Sequence, residues 1–241
     1  MLRSTEGQGG KATPDSGRAT PDVAALAERE AGALLERVGI IGPPVDAYLV
    51  ASKLGLTIHI DPLLKTRGYS LTRWDLGTII VGSKNPNKSE RKQFTVAHEI
   101  GEMSLKGRVE EDHLEEASNL MAVNLLLPRG WFKRDAEAYD FDLLKLKKTY
   151  STASHELIAF RMLEFRPMII TIFDNGRLYR RKSSYSFSIK SSYPLERQCL
   201  KDVTTRGKET FLKDERMSVL GWPVFREDWK RVILRTALEE R

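Results

Sequence analysis

The stretch QFTVAHEIGEMSL, Gln93–Leu105, decides how the rest of the chain is interpreted. On a helix drawn through it, apolar residues occur nearly all the way round, and a helix of this kind is buried in a protein core. The same helix would carry His98, Glu99 and Glu102. Charged side chains in a buried position are costly unless an opposite charge neutralises them. The stretch therefore predicts a buried helix with a cation at its polar positions.

The spacing of the polar residues indicates the kind of cation site. His98 and Glu102 lie four residues apart, so they share one face of the helix and can reach one ion. Zinc hydrolases place two histidines at this spacing, and the glutamate after the first histidine deprotonates the metal-bound water. Glu99 has that position, whereas Glu102 stands where the second histidine is usual. The sequence thus predicts a metal site with an altered second ligand.

A catalytic metal also needs a third protein ligand and an open position for water. The helix predicted from about Glu111 offers His113, Glu115 and Glu116 as candidates. Two interpretations without a metal stay open. In the first, His98 is a hydrogen-bonded core histidine, and in the second the glutamates are solvated helix charges.

The charge of the chain is concentrated near its end. Of the net charge of +6, the largest local excess lies in residues 166–241, which hold 17 basic and 10 acidic side chains. This excess predicts a solvated surface or contact with nucleic acid or another acidic partner. No long apolar run and no secretory signal are present, and the single cysteine, Cys199, fits a reducing compartment. We therefore expect a cytoplasmic protein without a membrane partner.

Composition divides the chain into three segments. Residues 1–22 are rich in Gly, Ser, Thr and Pro with almost no large apolar side chains, which predicts a disordered tail. Residues 23–165 begin with two helices that stop at Gly39 and Gly55, and continue with two short strands and a series of further helices. Residues 166–241 form a separate, basic α+β region. The whole chain is predicted to have an α+β fold.

Two patterns describe the C-terminal segment. MIITIFDNGRLYRRKSSYSFSI predicts two or three strands, with Asn175 and Gly176 in a tight hairpin turn. Near the end, EDWKRVILRTALEE has apolar residues at helical spacing from Trp229 to Ala237. This second pattern predicts a final helix.

The two helices of the candidate site resemble those of a known family. RKQFTVAHEIGE followed by EEASNLMAVNLLLP is similar to the motif helix and the acidic, Ala- and Asn-containing helix of ImmA/IrrE metallopeptidase-like proteins, which ends in a Leu-Leu-x-Pro turn. The resemblance covers roughly residues 25–165. It includes the stretches PPVDAYLVASKLGLTIHI, RGYSLTRWDLGTIIVG and STASHELIAFRM.

This resemblance implies a zincin-like metallopeptidase domain and a role for each candidate residue. By position, His98 matches the first histidine ligand, Glu99 the general base, and Glu115 the third, acidic ligand, while Glu102 falls on the second histidine. A carboxylate binds zinc at about 2.0–2.2 Å, so Glu102 can still coordinate. Its extra negative charge should make the bound water less acidic and favour harder ions. The expected cofactor is a divalent metal, with zinc first and manganese as the alternative.

The family resemblance also implies a substrate. It points to a metallo-endopeptidase that cleaves a helix-turn-helix transcriptional repressor and so derepresses genes of a mobile element or a stress response. The alternative is a catalytically weak or inactive peptidase-like regulator that binds a transcription factor or DNA without cleavage. STASHELIAFRML lacks the basic residues expected on a DNA-recognition helix, which speaks against direct DNA reading as the main function.

Overall fold

A computed structural model describes residues 21–61, 68–73, 76–82, 89–186, 191–226 and 229–239. The tail predicted at residues 1–22 lies outside these ranges except for its last two residues, which begin the first helix. In chain order the elements are α1 (Pro21–Arg37), α2 (Ala47–Lys53), β1 (Thr57–Asp61), β2 (Gly68–Arg73), β3 (Leu76–Gly82), α3 (Ser89–Leu105), α4 (Glu111–Leu126), α5 (Arg129–Ala138), α6 (Leu143–Thr149), α7 (His155–Met162), β4 (Ile169–Asp174), β5 (Arg177–Ser183), α8 (Pro194–Arg206), β6 (Thr210–Lys213), β7 (Met217–Arg226) and β8 (Trp229–Leu238). Among the described helices, none has the length and apolar character needed to cross a membrane. The α+β prediction is confirmed.

The first sheet precedes the helix of the opening stretch. Its strand order is β1-β3-β2, with β1 parallel and β2 antiparallel to the central β3. Helices α1 and α2 are followed by Gly39 and Gly55, as predicted, with φ angles of 67° and 75°. Glycine adopts this left-handed conformation at no steric cost. The turn at Gly55 leads the chain directly from α2 into β1.

Helices α3 and α4 approach each other closely at Gly101. A Cβ atom at this position would lie 3.1 Å from the carbonyl oxygen of Ser118 and 3.2 Å from Cβ of Met121, both on α4. The absence of a side chain is what allows this approach. On α3, Val96 and Ile100 are fully buried, as predicted for a helix that is apolar on most of its surface. The contact therefore holds the polar positions of α3 beside α4.

The second sheet is antiparallel throughout, with strand order β5-β4-β8-β7-β6. The predicted hairpin turn is confirmed, because Asn175 and Gly176 connect β4 to β5 with φ angles of 50° and 78°. Three of the five strands lie in the last part of the chain, and one of them, β8, occupies the stretch where the sequence pattern indicated a helix.

Both faces of the second sheet are covered. On one face, Phe173, Val219 and Leu234 pack against Cys199 and Val203 of α8. The burial of Cys199 raises the pKa of its thiol to about 12, which suits the packing role of a lone cysteine. The other face joins the large hydrophobic cluster formed by helices α1 to α7, to which the sheet contributes Ile170, Ile172, Trp222 and Ile233. One core thus spans the domain boundary predicted at residue 166, and that boundary stays a prediction.

The final helix predicted near the C-terminus is wrong, because Trp229–Leu238 is strand β8. This strand is central in its sheet and pairs with β4 on one side and β7 on the other. Leu234 faces α8 and Ile233 faces the large core, so the strand is buried on both sides. A strand buried on both sides loses the alternation of polar and apolar residues, and its apolar residues can then match helical spacing. The β-branched residues Val232, Ile233 and Thr236 were the signal for a strand.

The helical region predicted from Leu143 to Phe165 contains two helices, α6 and α7. The break between them is stabilised at Ser154, whose side-chain oxygen accepts a hydrogen bond of 3.1 Å from the amide of Leu157. A serine that accepts this bond caps the free amides at the start of a helix. The interruption therefore follows from a local capping residue.

Replacing Gly221 by alanine should lower the free energy of unfolding. A Cβ atom there would lie 2.8 Å from each of three side-chain atoms, in Cys199, Val203 and Leu234. Overpacking of this kind costs about 1–3 kcal/mol. Urea denaturation measures the change. The matched variant Gly32→Ala, in α1 where a Cβ meets nothing within 4 Å, should instead stabilise by about 0.5–1 kcal/mol. Equal stability of Gly221→Ala and the wild type would contradict the close approach of α8.

Candidate metal centre

Helix α3 brings three potential metal ligands together. One nitrogen or oxygen atom from each of His98, Glu99 and Glu102 lies within 4.8 Å of the atoms from the other two. Within the described part of the chain, this is the one group of three His, Cys, Asp or Glu residues that meets in this way. The i, i+4 pair predicted from the sequence therefore shares one face of α3, with Glu99 beside it.

Glu99 lies in the protein interior. Its exposed fraction is 4 %, whereas Glu102 and His98 are partly buried. Glu99 is thus not the solvated helix charge that was one of the interpretations without a metal. A carboxylate with so little contact with water keeps its charge at lower cost when a cation lies nearby.

Helix α4 places two further side chains against His98. The Nε2 atom of the imidazole lies 3.4 Å from Oε2 of Glu115, and its Nδ1 atom lies 3.2 Å from Oδ1 of Asn119. The His98 side chain is 14 % exposed, while that of Glu115 is 79 % exposed. One edge of the ring therefore meets a candidate ligand and the other edge meets an amide.

The donor set fits a divalent cation. It consists of one imidazole nitrogen and several carboxylate oxygens, which zinc and manganese both accept. Two ligand atoms of a tetrahedral ion, each at about 2.0–2.2 Å, lie about 3.3–3.6 Å apart. The separation of 3.4 Å between His98 Nε2 and Glu115 Oε2 falls in this range. A cation at this point would also reduce the repulsion between the neighbouring carboxylates.

The predicted site residues lie near one another, but they do not all belong to the close group. Glu99, predicted as the general base, belongs to the close group on α3, whereas Glu115, predicted as a ligand, contacts His98 but lies outside that group. Of the other candidates on α4, the His113 side chain has no hydrogen bond or ion pair with another described residue. Glu116 is partly buried and lies outside the close group.

Asn119 is the residue whose role at the site the sequence interpretation missed. In the sequence it lies four residues after Glu115. The same spacing that relates His98 to Glu102 on α3 relates Glu115 to Asn119 on α4, and residues so spaced share one helical face. This repeated spacing on two neighbouring helices was the available signal.

Comparisons with known proteins agree with the fold and with the resemblance expected from the sequence. Residues 51–163 match the sequence profile of the Peptidase_M78 family, described as the IrrE N-terminal-like domain, and this range contains both helices of the site. Among solved structures, a Mycobacterium tuberculosis transcriptional regulator is similar with a TM-score of 0.58 and 18 % identity, over 89 % of this chain and 75 % of that chain. At this identity the likeness is one of fold. No curated protein sequence matches the chain.

Proposed function

Since residues 51–163 form an IrrE N-terminal-like domain, we propose that this protein is a metal-dependent endopeptidase acting on a helix-turn-helix transcriptional repressor. The observation that supports the proposal is the close group of His98, Glu99 and Glu102 on α3, with Glu115 of α4 in contact with His98. The family is typically metal-dependent, and its members often cleave regulators. Cleavage of the repressor would release genes of a mobile element or a stress response.

Each residue of the site has a proposed role. His98, Glu102 and Glu115 would hold a divalent ion, which when bound lowers the pKa of a water molecule and polarises a peptide carbonyl. Glu99 lies next to a ligand without being required as one. Its carboxylate accepts the proton of the attacking water and passes it to the nitrogen of the leaving amine. The burial of Glu99 keeps bulk water from competing for its oxygens.

Glu102 determines which metal the site prefers. Carboxylate oxygens suit manganese as well as zinc, whereas imidazole nitrogens favour zinc. A site with one histidine and two glutamates is therefore more tolerant of manganese than a site with two histidines. We propose zinc as the resident ion and manganese as the alternative.

Replacing Glu102 by histidine should tighten zinc binding. The variant restores an imidazole at the same i+4 position and removes one negative charge from the partly buried face of α3. Competition with a chromophoric chelator measures the dissociation constant. The variant Glu137→His adds a histidine at an exposed position of α5 and should leave the constant unchanged. Weaker zinc binding by Glu102→His would mean that Glu102 does not face the ion.

The chemistry of the C-terminal region bears on its proposed partner. Part of its positive charge is neutralised internally, because Arg181 contacts Glu196 at 2.8 Å and Arg231 contacts Asp174 at 2.7 Å. Other basic side chains are exposed and make no ion pair with a described residue: Arg177, Lys201, Arg206, Lys208 and Arg216. These residues are available to an acidic segment of the substrate or to nucleic acid. We propose the cytoplasm as the place of action.

Cleavage of a candidate regulator tests the proposed function. The purified chain is incubated with a helix-turn-helix regulator encoded beside its gene, in the presence of zinc or manganese, and the products are separated on a gel. We expect discrete fragments that disappear when a chelator is added. An intact regulator with both metals would contradict the enzyme.

One observation favours a second candidate function. Glu102 stands in place of the histidine that the family motif carries, and the surrounding helix packing at Gly101 does not depend on it. A protein of this kind could hold a transcription factor without cutting it. Stable binding of the intact regulator, measured by gel filtration in the presence of metal, distinguishes this function from proteolysis.

A further inference from the structure

The side-chain amide of Asn119 contacts both candidate ligands that face each other across α3 and α4. Its Oδ1 atom lies 3.2 Å from Nδ1 of His98. Its Nδ2 atom donates to the backbone oxygen of Glu115 at 2.9 Å and to Oε1 of the Glu115 carboxylate at 3.3 Å. One amide thus connects a potential ligand on each helix.

The orientation of this amide is determined by the backbone of α4. A carbonyl oxygen can only accept a hydrogen bond, so the NH₂ group of Asn119 has to face the carbonyl of Glu115. The amide oxygen then faces the imidazole, and an oxygen without hydrogens can only accept. Nδ1 of His98 must therefore carry the proton in this contact, and Nε2 is left with its lone pair in the neutral ring.

The direction of that lone pair is significant for the proposed function. Nε2 is the ring nitrogen that faces Oε2 of Glu115 at 3.4 Å. A neutral imidazole binds a metal through a lone pair, and the hydrogen bond made by its other nitrogen sets which atom is free. The second oxygen of the same glutamate is held by Asn119. Both ligand atoms are thereby turned toward one point.

We propose that Asn119 is a positioning residue that selects the Nδ1-protonated tautomer of His98 and holds the Glu115 carboxylate opposite Nε2. The proposal rests on the proposed function for the identity of the two ligands, and it assigns a role to a residue outside the proposed set of ligands. The close approach at Gly101 brings α3 near enough to α4 for a short asparagine side chain to reach His98. Because the two helices are packed closely, Asn119 can contact both His98 and Glu115 and orient the ligand atom of each.

The first experiment uses the full-length, metal-free protein and does not depend on activity. The ¹⁵N chemical shifts of the His98 ring report which nitrogen carries the proton in its neutral form. We expect the Nδ1-protonated form in the wild type and a mixture of tautomers in Asn119→Ala. In Asn119→Asp the acceptor for Nδ1 is kept while the donor to Glu115 is lost, so the tautomer should be retained.

The second experiment measures zinc affinity of the same variants by chelator competition. Loss of a group that orients a ligand typically weakens metal binding roughly 10–100-fold. We expect this loss for both Asn119→Ala and Asn119→Asp, because each variant removes the amide group that donates a hydrogen bond to the Glu115 carboxylate. Asn124 is the matched control. Its Nδ2 atom donates to the backbone carbonyl four residues earlier at 3.0 Å, as Nδ2 of Asn119 does, but its Oδ1 atom accepts a hydrogen bond from Arg161 at 2.6 Å instead of facing a histidine. Asn124→Ala should lower the melting temperature and leave the zinc affinity unchanged.

Two outcomes would overturn the proposal. One is an unchanged His98 tautomer in folded Asn119→Ala, as judged by circular dichroism. The other is a zinc affinity that falls equally in Asn119→Ala and Asn124→Ala, because a general loss of stability would then explain it. The wild type could show the expected tautomer and zinc affinity and still cleave no regulator. This result would refute the proposed peptidase activity, but it would not contradict the positioning role of Asn119.

Discussion

Replacing Glu99 by glutamine should reduce the rate of regulator cleavage by about 10²–10⁴-fold, the usual contribution of a general base. Glutamine has nearly the same shape as glutamate, so the variant should keep the fold and the metal. It cannot accept a proton from water as a carboxylate does. Glu99 is 4 % exposed, and one of its carboxylate oxygens lies within 4.8 Å of a ligand atom of His98 and of one of Glu102. The rate is measured from the disappearance of intact regulator on a gel.

The control for this prediction is Glu111→Gln. Glu111 is an exposed residue in the first turn of α4, so the substitution makes the same chemical change away from the close group on α3. It should cleave at the rate of the wild type. If Glu99→Gln cleaves as fast as the control while retaining metal, Glu99 is not the base. If the wild type and both variants bind the regulator equally and none of them cleaves it, this protein is a binding protein that holds the regulator without cutting it, and not a peptidase.

Removing the imidazole of His98 should abolish stoichiometric metal binding. His98 is the one nitrogen donor of the group, and its Nε2 atom faces the Glu115 carboxylate. A ligand that binds only the folded state stabilises it, by about 2.7 kcal/mol at a concentration a hundred times its dissociation constant. Added zinc or manganese should therefore raise the melting temperature of the wild type and leave that of His98→Ala unchanged. Elemental analysis of both purified proteins gives the metal content.

The variant His113→Ala tests whether the third ligand, on α4, is Glu115 or His113. His113 is not part of the close group, and its side chain makes no hydrogen bond or ion pair with a described residue, so this variant should retain its metal. Loss of metal in His113→Ala would mean that the third ligand is His113 rather than Glu115. A wild type that purifies without metal and gains no stability from zinc or manganese would refute the metal centre as a whole.

Local patterns predicted the part of the molecule that carries the site. The apolar residues around α3 and the i, i+4 pair of His98 and Glu102 are properties of a single helix, and spacing along the chain is enough to reveal them. The hairpin at Asn175 and Gly176 is local in the same sense. The fold class and the family resemblance followed from such segments.

Features that depend on distant parts of the chain could not be predicted in this way. Strand β8 is a strand because β4 and β7 pair with it and because both of its faces are covered; β7 directly precedes it, but β4 and the covering helices are far away in sequence. The contact between His98 and Asn119 likewise joins residues on two helices. The sequence places both residues on apolar helices, but the close approach of the two helices at Gly101 becomes visible only in the structure.

The contact at Gly101 has a consequence for how this protein can change over evolutionary time. The distance between the two helices of the site is maintained by hydrophobic packing, so selection for a stable fold preserves the placement of His98 and Glu115 even when selection on catalysis is relaxed. Position 102 is then free to vary on a scaffold that keeps its shape. A change at position 102 would therefore alter a proposed metal ligand without altering the distance between the two helices.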